Sequence, residues 1–432
     1  MATWSGSVEA TTLGRCSCPN QNLGALKPTA RTFMSFDNVI IFGAGASFDA
    51  KIPLLSNFVE TMWTYATRGT SPNGPIKEED KALFDEAIEI RKKLERYNSR
   101  ANFNIRNLED ILSLLSFESL AGGEALNNYE TWVKAITKTI ELSTNIPFHD
   151  SKPYSPKYTQ TIYHQFWNVL LGPASIKRHP ALITFNYDLV FERSLWEFYH
   201  IFNDQPEQFF PVKEIDINYF LNPESVSISK ELTQYNEPIS IGTGAMVQGQ
   251  KAGFKPRLQF GPAKPHGIPY LKLHGSLNWG EPVPADDETN PRRFIQAAEK
   301  PLILPPVFNK MNSVQLMPVW GKALEILRNA KHIIIVGYSL PKTDIYMQYF
   351  LKSAVGPNSD LQKIVVFDPV LFTQDSGNAE MRKRYEECFS PQFQPQIIFN
   401  PSGLSPDRRN YLGTFEHFVH SLRRVPNELL FI

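Results

Sequence analysis

The apolar run Asn38-Val39-Ile40-Ile41-Phe42 passes straight into Gly43-Ala44-Gly45-Ala46-Ser47. A short apolar run ending at glycine reads as a fully buried strand. Two glycines one residue apart, followed by small residues, let the backbone turn sharply and aim the first N–H groups of the next helix at a diphosphate. Phe48 stands where a GxGxxG pattern would carry its third glycine, so the loop is informative only in company. Three later stretches supply it: Thr184-Phe185-Asn186-Tyr187-Asp188, Leu273-His274-Gly275-Ser276 and Val336-Gly337-Tyr338-Ser339-Leu340-Pro341.

Each of these follows an apolar run: Ala181–Phe185, Tyr270–Leu273 and His332–Val336. A further run, Lys363–Phe367, ends at Asp368. Short apolar strands alternating with helical patterns indicate an α/β fold, a Rossmann-like parallel sheet covered on both faces. Gly43, Asn186, His274, Gly337 and Asp368 would then share the carboxyl edge of the sheet, where open α/β sheets bind ligands.

Between the first two strands, residues of about 58–175 read as a helical insertion. Leu83, Ala87, Ile90, Leu94 and Tyr97 recur at helical spacing over 78–97, Asn107 precedes two acidic residues as a helix cap, and Trp132, Ile136 and Ile140 share a face over 126–143. Simple packing accounts for the aromatic residues there. Residues of about 203–269, rich in Pro, Gly and Asn, read as a loop-rich insertion with hairpin pieces. The sheet-bearing domain covers 36–400, residues 401–432 form a C-terminal extension, and 1–35 read as a flexible N-terminal arm that could order in an oligomer.

At 432 residues the chain is long enough for a core with a substantial insertion. Its 44 basic and 44 acidic residues cancel, so no global field draws it to nucleic acid or an anionic membrane, and no direct nucleic-acid binding is expected. No apolar stretch is long enough to span a bilayer, and residues 1–35 lack the apolar core of a secretory signal. Three cysteines, Cys16, Cys18 and Cys388, suit a reducing cytoplasm and build neither a disulfide framework nor a zinc ribbon. His417 and His420 lack the acidic spacing of a metal site and read as a surface helix face. No metal is expected.

In the order and placement of these motifs the chain resembles the sirtuin-like (silent information regulator family) NAD-binding domain. That family carries a glycine-alanine-glycine loop, a Thr-Gln-Asn-Ile-Asp stretch, a His-Gly and a Gly-Thr-Ser. Here the matching stretches are Gly43–Ser47, Thr184–Asp188, His274-Gly275 and Gly337-Tyr338-Ser339. Ile52-Pro53-Leu54-Leu55-Ser56 departs from the family's Ile-Pro-Asp-Phe-Arg, and the zinc ribbon that supports protein deacylation is absent. The chain is more similar to the bacterial sirtuin-like NAD hydrolases of antiphage defence.

The resemblance implies NAD as substrate, with Asn186 and His274 catalytic. Gly43, Ala44, Gly45 and Ser47 would line the diphosphate, Gly337 and Ser339 the adenosine side, and Asp368 the adenosine itself. Asp188 would either accept from the nicotinamide amide or cap the following helix. It also implies a gated enzyme, controlled by homo-oligomerisation or by a partner such as a HerA-type ATPase or a short Argonaute. Two other readings stand beside it: a non-catalytic NAD or ADP-ribose sensor, and an ADP-ribosyltransferase.

Overall fold

Continuous β-branched and aromatic runs form buried strands at the centre of a sheet in which, among the described residues, seven strands lie side by side in parallel. The computed structural model describes residues 36–146, 160–172, 178–201, 214–221, 224–241, 245–281, 292–304, 314–342, 344–399 and 412–430. The N-terminal arm, with Cys16 and Cys18, lies outside the described residues, as does the first part of the C-terminal extension.

The chain opens with β1 (Asn38–Phe42) and, after a 3-10 turn over Ala44–Ala50, enters α1 (Phe58–Arg68). A small hairpin of β2 (Thr70–Ser71) and β3 (Gly74–Pro75) leads to α2 (Glu78–Glu95), α3 (Leu108–Glu118), α4 (Glu124–Ser143) and α5 (Ile162–Leu171). These five helices are the insertion. Asn107 caps α3 by accepting from the Glu109 N–H at 2.8 Å, as its spacing predicts.

Next come β4 (Ala181–Thr184), α6 (Val190–Ile201), β5 (Glu214–Asn218), β6 (Ser225–Ile241), β7 (Ala245–Gly261) and β8 (Ile268–Lys272). They are followed by β9 (Gly275–Glu281), α7 (Arg292–Ile295), β10 (Lys300–Ile303), α8 (Met317–Leu327) and β11 (His332–Val336). The last elements are α9 (Ile345–Val355), β12 (Lys363–Phe367), α10 (Ser376–Glu386), β13 (Ile397–Phe399), α11 (Phe415–Arg424) and α12 (Pro426–Leu429).

Among the described residues the main sheet has nine strands, in the order β13-β12-β11-β1-β4-β8-β5-β6-β7. From β13 to β5 every neighbouring pair is parallel, and β6 and β7 add an antiparallel edge. The fold is therefore α/β and Rossmann-like. From β1 the chain moves one way to β4 and β8, then returns to the other side for β11, β12 and β13. The order reverses between β1 and β11, which in an open α/β sheet opens a crevice at the carboxyl edge.

Two expectations change. Residues of about 203–269 are not mainly loop: β6 and β7 form a hairpin of two 17-residue strands, with apolar partners such as Val226 opposite Phe260 and Ile228 opposite Leu258. Its scattered Pro and Gly read as breaks, whereas the pairing of the two strands runs through them, from Ser225 opposite Gly261 to Ile241 opposite Ala245. His417 is not on a surface face either, because α11 is a core element. Phe415 and Phe418 meet Phe42 of β1, Phe166 of α5 and, for Phe415, Phe191 of α6, with ring centroids 5.6–6.3 Å apart. That packing turns His417 inward as well, and its Nδ1 accepts the Gly413 N–H at 2.8 Å.

Candidate active site

The loops after β1 and β11 interlock. The Gly43 N–H donates to the Val336 carbonyl and the Gly45 N–H to the Gly337 carbonyl, each at 2.9 Å. A Cβ on Gly43 would lie 2.5 Å from the Gly337 oxygen, and one on Gly337 (φ +65°) would lie 2.4 Å from the Ala46 nitrogen. Glycine is required because two backbones touch. This revises the expected role of Gly43 and Gly45, whose N–H groups bind the neighbouring loop and not a diphosphate. The Ala46 N–H is also committed, to the Gly43 carbonyl. Ala44 alone of the four has no acceptor for its N–H among the described residues, and Ala44 lines the cavity described next. Tyr163 of α5 fastens the loop from below, donating to the Ala46 carbonyl at 2.8 Å and accepting from the Ala50 N–H at 3.1 Å.

At the crevice lies a cavity of about 170 Å3. Ala44, Ser47, Asn186, Asp188, His274, Gly337 and Ser339 all line it, so seven of the ten residues singled out in the sequence converge on one space. Gly43 and Gly45 stand behind its wall. Asp368 is not brought to it. Its carboxylate accepts the Val370 N–H at 3.0 Å to cap a 3-10 turn, Gly413 packs against its carbonyl, and burial raises its pKa.

The polar side chains form a directed chain. Asn186 Nδ2 donates to the Gly43 carbonyl at 2.8 Å and to Ser47 Oγ at 2.9 Å, and Ser47 Oγ donates to Asp188 Oδ2 at 2.7 Å. A carboxylate only accepts here, so the serine hydroxyl must give its proton to Asp188 and receive from Asn186. That logic fixes the amide: its NH2 faces the protein, leaving Oδ1 as the group able to meet a ligand. An asparagine amide offers both a donor and an acceptor, and the structure has used the donor. Asp188 likewise spends Oδ1 capping α6, accepting from the Val190 N–H at 3.1 Å. Of the two roles expected for it, capping is the one its geometry displays.

His274 sits in the turn between β8 and β9 and is nearly buried. Its ring packs against Phe185 at 5.4 Å and Trp320 of α8 at 6.4 Å. Trp320 Nε1 donates to the Leu273 carbonyl at 2.8 Å, bracing the turn. Gly275 follows at φ +82°, where a Cβ would meet the Leu302 oxygen at 2.0 Å, so the His-Gly pair is dictated by β10 crossing beside it. The loops carrying Asn186 and His274 are laced together by Leu273 N–H to the Thr184 carbonyl and Leu277 N–H to the Tyr187 carbonyl, both 2.9 Å.

Beneath them lies a pair that sequence reasoning missed. Lys272, wholly buried at the end of β8, donates to Glu192 Oε1 at 2.7 Å and to the Asp188 carbonyl at 2.6 Å. Burial raises the Glu192 pKa and Lys272 opposes that rise. A lysine ending an apolar strand, with a glutamate four residues after Asp188, was the available signal.

The cavity's roof comes from the helical insertion and the loop before it: Pro53, Leu55, Phe58, Glu109 and Ile140. Tyr187 and Tyr338 also line it, and burial, reinforced by nearby carboxylates, pushes both hydroxyls far above the ordinary tyrosine range. Neither phenol therefore ionises near neutrality. His274 is the lining group suited to accept a proton there. Three carboxylates, Glu109, Asp188 and Asp344, line the space, and no lysine or arginine does among the described residues. Such a wall favours a cationic or hydroxyl-bearing ligand over a bare polyanion.

Together these features define an α/β protein with a Rossmann-like sheet and a preorganised amide–imidazole cavity at its switch point. No protein-family model matches the chain, and no curated protein matches it significantly.

Proposed function

We propose that this protein is a sirtuin-like NAD glycohydrolase, cleaving the nicotinamide–ribose bond with water to give nicotinamide, ADP-ribose and a proton. The observation that carries this reading is the directed chain Asn186–Ser47–Asp188 facing the same small cavity as His274. Ordinary glycoside cleavage needs an acid to protonate the departing oxygen. Nicotinamide in NAD is already a cationic pyridinium and leaves neutral, so a site needs only to hold the ribose, exclude bulk water, stabilise oxocarbenium charge and guide one nucleophile.

The residues match those tasks. Asn186 Oδ1, held by its two donor bonds, would accept from a ribose hydroxyl or the attacking water. His274 would take the proton that water releases. The acid-lined, apolar-walled cavity suits the cationic nicotinamide riboside end. At about 170 Å3 it is smaller than the roughly 300–1,000 Å3 of pockets that engulf whole ligands, so the ADP portion would extend outward past Ala44 and Ser339.

Unchecked turnover would drain a cell of NAD, and we propose that assembly with a second copy or with a partner gates it, in keeping with a role in antiphage defence. Support comes from the β6–β7 hairpin. Among the described residues β5 pairs with β6 as far as Ser229, and β6 and β7 stay paired with each other beyond it to Ile241 and Ala245. An isolated ribbon is marginal in water and gains by lying against another surface.

Incubating the full chain with NAD and resolving the products by chromatography tests the reading. Nicotinamide and ADP-ribose should accumulate in equal amounts. Calorimetric NAD binding with no nicotinamide released, in the isolated chain and in its assemblies alike, would point to a sensor module. Label carried from NAD onto protein would point to a transferase.

A further inference from the structure

A second cavity, of about 420 Å3, lies between α1, α2 and the connection into α3. It is lined by Ser56, Val59, Glu60, Trp63, Arg91 and Arg106. Its charge is opposite to that of the first: two guanidiniums against one carboxylate. The Arg91 guanidinium lies over the Trp63 ring, 5.2 Å from its centroid. Arg91 Nε is buried and has no hydrogen-bond partner, and neither Arg91 nor Arg106 has a carboxylate within ion-pair distance among the described residues.

This is unlike the protein's treatment of a structural arginine. Arg193, more deeply buried than the partly exposed Arg91, gives two bonds to Glu141 at 2.7 and 2.8 Å and others to the Ile295 and Ile146 carbonyls. For Arg91, burial lowers the pKa, Glu95 opposes that, and the nearby Arg106 charge adds a smaller lowering. Two guanidiniums turned to one space, with a single carboxylate beside them and neither ion-paired among the described residues, leave donors that an anion can bridge. Guanidinium forks match phosphate oxygens in pairs. The volume exceeds what a bare ion needs, and the Trp63 ring, 40% exposed, offers an aromatic surface beside the arginines.

We propose that this second cavity binds a nucleotide-sized phosphate ester, its phosphate held between Arg91 and Arg106 and its sugar or base against Trp63. Serine and glutamate at the rim, Ser56 and Glu60, would meet hydroxyl or amino groups.

Calorimetric titration of the full chain with AMP, inorganic phosphate and adenosine tests this, with Arg106→Gln and the double variant Arg91→Gln/Arg106→Gln as controls and thermal unfolding as the check on folding. Arg106 is exposed, so its single variant should fold normally. AMP should bind, losing at least tenfold in affinity in Arg106→Gln and becoming undetectable in the double variant. Inorganic phosphate should bind more weakly with the same dependence, rising salt should weaken both, and adenosine should not bind. The proposal is overturned if neither AMP nor phosphate binds, if adenosine binds as well as AMP, or if AMP affinity is unchanged in folded Arg106→Gln.

Discussion

At the scale of single residues, the site is an exercise in committing atoms. Asn186 keeps one oxygen for a ligand because its two N–H groups are taken by the Gly43 carbonyl and Ser47. Asn186→Ala should therefore lower nicotinamide release by at least about a hundredfold, and His274→Ala should do likewise. Asn186→Ala should cost about 1–3 kcal/mol of stability, since the Gly43 carbonyl and Ser47 hydroxyl it leaves are both buried. Ser47→Ala removes one tether while leaving the catalytic atoms, so turnover should fall by roughly tenfold to a hundredfold, and the buried Asp188 oxygen left without its donor should cost about 1–3 kcal/mol of stability. Full turnover by Ser47→Ala would show that the tether is decorative. Lys272→Met should act in the other direction: stability drops by about 3–5 kcal/mol because Glu192 is left buried without its counter-charge. Adding Glu192→Leu should restore most of it, measured by denaturant unfolding.

At the scale of elements, α11 shows what a terminal helix can contribute. Its Phe415 and Phe418 complete the aromatic cluster beneath β1, and its N-terminal turn holds His417 inside. Burial, with a smaller push from His420, lowers His417 to about 4 from an ordinary 6.5. The unfolded chain then takes up that proton more readily than the folded one. The histidine's contribution is fully present above about pH 6.5 and is lost as pH falls toward 4, by at most about 3 kcal/mol. His179 and His332, also lowered chiefly by burial, add in the same sense. The unfolding midpoint should fall between pH 7 and pH 5, and His417→Asn, which keeps an acceptor near the Gly413 N–H, should reduce that slope. An unchanged slope would mean that His417 titrates normally in the folded state.

At the scale of the whole molecule, the sheet was legible because its strands are continuous apolar runs ended by glycine or a polar residue, and their carboxyl ends named the cavity. What was not legible depends on distant pairing. Gly43 and Gly45 look like a phosphate cradle until Gly337 is seen against them, and Asp368 looks like a site residue until Gly413 closes over it. Tyr163 reads as packing, yet its hydroxyl holds the glycine loop, and Trp320, for which the sequence offers no signal, braces the His274 turn through its indole N–H. The length of the β6–β7 ribbon is not legible locally: Ser225-Val226-Ser227-Ile228-Ser229 alternates, but the pairing that carries it to Ile241 is with a distant segment. If the ribbon serves the proposed gate, shortening it by removal of 232–252 should abolish any rise of specific activity with protein concentration. A rise that survives the deletion would place the gate elsewhere.

The most direct test of the central claim is a crystal structure of the His274→Ala protein with NAD. The nicotinamide riboside should lie in the cavity between residue 274 and the Asn186 amide, with a ribose hydroxyl or a water on Asn186 Oδ1 and the ADP portion leading outward past Ala44. NAD bound with its adenine in that cavity, or bound elsewhere with the cavity vacant, would contradict the account.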